Sequence, residues 1–150
     1  MLNKDTNLVY GEVEFDSFVD ILSKIDVKPG SKFLDLGSGT GKAVYAAAML
    51  RDFAHVCGIE YLESLHNTAV KLLPKFEKLQ DDNGLVLDED TPEIVFHHGS
   101  FLDDRFDLSD YDVSKRMEAL PFATNARIIG RRSPFSFFLT GSVRQQHMLR

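Results

Sequence analysis

The sequence has no tryptophan, a single cysteine and no long apolar run. Without a stretch of about 18 apolar residues, no membrane-spanning helix is expected. Cys57, standing alone, cannot form an internal disulfide, which fits a reducing intracellular compartment. The same scarcity argues against a zinc centre: His97 and His98 are neighbours, and adjacent strand residues point to opposite faces. The opening residues Met1-Leu2-Asn3-Lys4-Asp5-Thr6 lack the charged-then-apolar layout of a secretory signal. The aspartates at 81, 82, 88 and 90 do not follow the alternating-oxygen pattern of a calcium loop, so they read as solvated charges.

Positive charge is scarce over most of the chain. Residues 1–112 hold ten Lys/Arg against 22 Asp/Glu, whereas residues 113–150 hold seven against one. The local balances of −12 and +6 give the overall −6. With 43% hydrophobic and 27% charged residues in 150, the composition is that of one globular domain with one core. The charge jump divides it into residues 1–113 and a divergent basic tail, 114–150. Such a tail suggests nucleic-acid contact only weakly, through Arg131-Arg132.

Strand and helix signals alternate along the first part. Phe18, Val19, Leu22 and Ile25 recur at helical spacing, with Asp16 or Ser17 as N-cap. After the turn Lys28-Pro29-Gly30 come a strand at Lys32–Leu36, a glycine-rich turn, and an alanine-rich helix at Lys42–Leu50. A second buried strand, His55–Ile59, ends at Glu60. The next helix, Leu62–Gln80, is expected to kink or stop near Pro74. An acidic loop follows over 81–93, then a third strand at Ile94–His97 and the start of a fourth at Asp110–Val113. The alternation predicts an α/β fold, a Rossmann-like parallel sheet with flanking helices, and its pattern fades after the third or fourth strand. Beyond Val113 only the stretch from Pro134 to Leu139 reads as a strand.

The glycine-rich turn separates three ligand classes by spacing. A nucleotide-triphosphate loop needs a glycine at position 36 and a hydroxyl at 43, which are leucine and alanine here. A dinucleotide loop needs a glycine at 42, which is lysine. The run Asp35-Leu36-Gly37-Ser38-Gly39-Thr40-Gly41 instead resembles motif I of class I S-adenosylmethionine-dependent methyltransferases at every position. In that reading Gly37, Gly39 and Gly41 let the ligand lie against the backbone, and Asp35 meets its α-ammonium. Glu60, an acid at the end of the next strand about 20 residues on, accepts from the ribose hydroxyls.

A narrower resemblance spans residues 9–104. Tyr10-Gly11-Glu12, Phe33–Gly41 and Cys57-Gly58-Ile59-Glu60 together resemble the non-SET histone lysine methyltransferases of the disruptor-of-telomeric-silencing type. The resemblance implies that Tyr10 and Glu12 help to form the cofactor pocket. It also implies that the segment Gly99-Ser100-Phe101 addresses the adenine, with Ser100 where the family has an aspartate and Phe101 stacking on the base. S-adenosyl-L-methionine is then the cofactor, a histone or other protein the substrate, and the nucleus the location. The family's Asn-containing catalytic loop has no counterpart after Val113, so no catalytic base is assigned. That break coincides with the charge jump, which points to an altered splice, a frameshift or a truncated gene. Two rival readings use the same cofactor residues: a class I methyltransferase with another acceptor, and a catalytically inactive cofactor-binding fragment. Cys57 is expected to be a core residue rather than a nucleophile.

Overall fold

The computed structural model describes residues 14–50, 52–82, 91–120, 123–130 and 136–140, those after 115 as backbone alone. Tyr10 and Glu12 lie outside the described residues, as does most of the acidic loop. Three helices are formed by Phe15–Ser23 (α1), Lys42–Leu50 (α2) and Glu63–Asp82 (α3). The strands are Ser31–Leu36 (β1), Phe53–Glu60 (β2), Glu93–His98 (β3), Val113–Leu120 (β4), Ala123–Gly130 (β5) and Ser136–Thr140 (β6). They make one sheet in the order β3-β2-β1-β4-β5-β6. Pairing among β3, β2, β1 and β4 is parallel, whereas β4–β5 and β5–β6 are antiparallel.

The expected parallel sheet with flanking helices is present as far as β4. There the helical crossovers stop. Two residues separate β4 from β5, and so short a link can only reverse the chain. The sheet therefore continues as an antiparallel meander, a pattern that the irregular polarity of residues 123–130 did not announce.

Period-2 alternation along β1 sends its side chains to two different environments. Phe33 is fully buried on one face with Val56 and Val113, under Phe18, Ile21 and Leu22 of α1 and Val44, Ala46 and Ala47 of α2. The alanines let α2 approach the sheet closely, and the Phe33 ring lies 6.1 Å from Phe18 and 5.5 Å from Phe53. Tyr45 of α2 ties in α3, donating its hydroxyl to the Ala69 carbonyl at 2.7 Å. Leu34, Cys57 and Ile59 point to the other face, where Phe101, Phe106, Leu108 and Tyr111 cover them from one loop.

Two local expectations are corrected. α1 begins at Phe15, one residue before the expected cap, and Glu14 at its N-cap makes no side-chain capping bond. α3 runs through Pro74 to Asp82 without ending there. Proline removes one backbone donor, and the carbonyl left over belongs to Val70, an exposed residue whose backbone can turn to water.

Candidate functional site

In an open parallel sheet, ligands bind beyond the carboxyl ends of the strands where the strand order reverses. Here that point is the carboxyl end of β1, with β2 on one side and β4 on the other. The glycine-rich loop 37–41 leaves β1 at this point. Gly37 and Ser38 donate their N–H groups to the Ile59 carbonyl at 2.9 and 3.1 Å, which pins the loop across the end of β2. Gly37, Gly39 and Gly41 all hold positive φ, at 77°, 56° and 84°, a region that side-chain-bearing residues rarely occupy. A Cβ at Gly37 would meet nothing within 4 Å, so the loop's outer face is open to a ligand. Gly58, under the loop, is needed for a different reason: a Cβ there would sit 2.7 Å from that of Ser38.

Glu60 locks the loop from the adjacent strand. Its Oε2 accepts from the Gly39 N–H at 2.7 Å and its Oε1 from the Leu62 N–H at 2.8 Å. The carboxylate is thereby fixed at the strand end, with a lone pair left on each oxygen for further donors. The third strand is tied to the same place, because Gly99 donates its N–H to the Glu60 carbonyl at 2.9 Å. Ser100 and Phe101 thus come next to Glu60. The Ser100 hydroxyl accepts from the Leu102 N–H at 3.2 Å, and the Phe101 ring packs partly on Leu34, Cys57 and Ile59.

Asp35 sits beneath the loop and is completely buried. Its Oδ1 accepts from the Lys115 ammonium at 2.8 Å, and Lys115 is itself buried on β4. The Oδ2 of Asp35 and the Oγ of Ser38 are buried without a partner among the described residues. Burial pushes the Asp35 carboxyl above its ordinary range, and the Lys115 charge pulls it back. Two unpartnered buried polar atoms under a loop of positive-φ glycines, open at Gly37, suit a polar ligand with donors, which an amino-acid nucleoside has.

The remaining candidates behave as core or surface groups. The Cys57 thiol is buried in the cluster that Tyr111 packs against, and burial pushes its pKa up, away from the reactive thiolate. His97 and His98 diverge: the His97 ring lies 5.4 Å from Phe106, and the His98 ring 5.5 Å from His66. Among the described residues no group of three His, Cys, Asp or Glu side chains could hold a metal ion. No helix among them is long and apolar enough to cross a membrane.

Sequence reasoning missed Lys115. A lysine two residues beyond Val113 on the same strand face must be buried with it, and a buried ammonium demands an acidic partner. The sequence thus marks Lys115 as a buried cation, but not which acid it meets.

Residues 2–111 match the family model described as "Histone methylation protein DOT1". The chain belongs to this family. Within the curated proteins, it is 33% identical over 73 residues to "Histone-lysine N-methyltransferase, H3 lysine-79 specific" of Eremothecium gossypii. That match takes in 49% of this chain and 13% of the relative, so the chain spans a small part of the relative's length. Among solved structures, an RNA methyltransferase from Salinibacter ruber in complex with S-adenosyl-L-homocysteine has a TM-score of 0.54. It is 19% identical, and the similarity covers 82% of this chain and 96% of that one. This likeness concerns the fold, which is that of the class I methyltransferases, as the resemblance of residues 35–41 to their motif I implied. The DOT1 match ends at residue 111, at the threshold of β4.

Proposed function

We propose that this DOT1-family chain binds S-adenosyl-L-methionine over the 37–41 loop and serves methyl transfer to a protein amine, a histone lysine, in the nucleus. The observation that carries the reading is the Glu60 carboxylate, held by the Gly39 and Leu62 N–H groups at the end of β2. A carboxylate so fixed can accept from two vicinal hydroxyls of a ribose, and the loop's open face receives the amino-acid portion. When bound, the cofactor supplies an electrophilic methyl group; the protein's part is orientation and exclusion of water.

Asp35, Gly37, Gly39, Gly41, Glu60, Ser100 and Phe101 form the cofactor-binding set in this reading, with Tyr10 and Glu12 added by the family resemblance. Ser100 is a weaker partner for an adenine amino group than the aspartate it replaces, so the base is held mainly by the Phe101 ring. No described side chain is assigned the role of taking the lysine proton. The domain of the reading is residues 1–113, with 114–150 as a divergent basic stretch whose first strand lies along β1. The acidic body is ill suited to DNA, which binds clustered cations. A histone tail, rich in lysine, suits it better.

Calorimetric titration with S-adenosylhomocysteine tests the proposal. The expected outcome is saturable binding that Glu60→Gln weakens at least tenfold, because a hydrogen bond to a charged group carries about 1.5–3 kcal/mol. A folded wild-type chain that binds no S-adenosylhomocysteine overturns it. Methyl incorporation into histones, compared with other proteins and small molecules, then separates lysine transfer from a different acceptor. A second reading, cofactor binding without turnover, is favoured by the hairpin that replaces the crossover after β4; binding with no incorporation into any acceptor would support it.

A further inference from the structure

Parallel register places Asp35 of β1 directly beside Lys115 of β4. Both side chains stand on the helix-covered face, Asp35 at 0% and Lys115 at 5% side-chain exposure, with Nζ 2.8 Å from Oδ1. The other carboxylate oxygen has no partner among the described residues. Asp35 is also the acid that the glycine-loop motif offers to the α-ammonium of an amino-acid nucleoside. An ammonium is therefore already installed where the ligand's own ammonium belongs.

We propose that Lys115 is a built-in competitor for the cationic end of the ligand, a residue that selects against nucleosides carrying an α-ammonium. The proposal rests on the cofactor reading above and adds a selectivity that the reading does not contain. Two routes are open to the incoming ammonium, and Lys115 opposes both. Taking Oδ1 requires Nζ to leave a buried ion pair. Taking Oδ2 places two cations on one carboxylate in a water-poor pocket, where their repulsion is several times what it is in water. The glycine loop and Glu60 are untouched by either route, so binding through the ribose and base is unaffected. Lys115 is thus a specificity-determining residue that acts through Asp35.

The test compares two nucleosides on the full chain: S-adenosylhomocysteine, which carries the α-ammonium, and 5′-methylthioadenosine, which lacks the amino-acid end. Lys115→Met keeps the length of the side chain and removes the charge. The expected result is about tenfold tighter binding of S-adenosylhomocysteine by Lys115→Met, the scale of one charge-assisted hydrogen bond regained, with methylthioadenosine unchanged. A general loosening of the fold would change both affinities together. Unchanged or weaker S-adenosylhomocysteine binding by a folded Lys115→Met overturns the inference and leaves the cofactor reading standing. Failure of both nucleosides to bind the wild-type chain overturns the cofactor reading and the inference with it. Should Lys115→Met not fold, because Asp35 is left buried and unpaired, the wild-type protein carries the test. With lysine Nζ labelled by nitrogen-15, saturating S-adenosylhomocysteine should displace or shift the protected ammonium signal, identified by its absence from Lys115→Arg, and methylthioadenosine should not. A signal unmoved by both, at saturation, overturns the inference.

Discussion

The two faces of the sheet are buried by different means. On one, α1, α2 and α3 bring a continuous set of aromatic and small residues down onto Phe33, Val56 and Val113. On the other, a single stretch, residues 101–111 with a short 3-10 turn at Leu108–Asp110, lays four partly buried side chains over Leu34, Cys57 and Ile59. The difference follows from handedness. Right-handed crossovers that progress in one direction, β1 to β2 to β3, put every connecting helix on the same side. The β3-to-β4 crossover runs the other way and puts its connection, residues 99–112, on the opposite side, and the β4–β5 hairpin adds no helix to it. One face is thus a helix-packed core and the other a smaller cluster under a loop, a layout that separates stability from adaptability.

Paired substitutions in β1 probe that contrast most sharply. Phe33→Ala should destabilise by about 4 kcal/mol in urea unfolding, because the rigid helices cannot collapse into the void. Leu34→Ala, one residue along and on the opposite face, should cost about 2–3 kcal/mol, since the 101–111 loop can settle into the space. Equal losses would mean that the loop is as firmly packed as the helices. Tyr45→Phe should cost about 1 kcal/mol through the lost bond to Ala69. That cost depends on pH. Burial pushes the Tyr45 phenol from its ordinary 10.0 up to about 12. A raised pKa contributes stability that is complete below the unfolded value and is lost as pH climbs through the folded one. The gap between Tyr45→Phe and wild type should therefore close between pH 10 and 12, followed by thermal melting. The gentlest probe is hydrogen exchange: backbone amides of residues 101–111 should exchange well before those of β1 and β2, without any change in global stability.

Much of this architecture was legible in the residues, and the exceptions have physical causes. α2 spans Lys42–Leu50 as read, because an alanine run behind a glycine turn admits few alternatives. β1, β2 and β3 were placed within two residues, since short apolar runs between turn signals mark strands. Pro74 does not end α3, because its local penalty is fixed while the rest of the helix keeps its hydrogen bonds. β5 was unreadable, as Ala123–Gly130 shows no clean alternation and owes its state to pairing with β4 on one side and β6 on the other. At the site, the loop glycines and Glu60 were visible from spacing. The partner of Asp35 was not, because it comes from a strand 80 residues away whose register no local pattern encodes.

The Asp35–Lys115 pair also sets an order on how the chain can mature. During synthesis, β1, β2 and β3 with their helices are made before residue 115 exists. Until it arrives, closing the helix layer over β1 would bury a carboxylate with no cation beside it, so Asp35 must either take up a proton or stay wet. The first half can collapse early, but it can seal only once the fourth strand has been delivered.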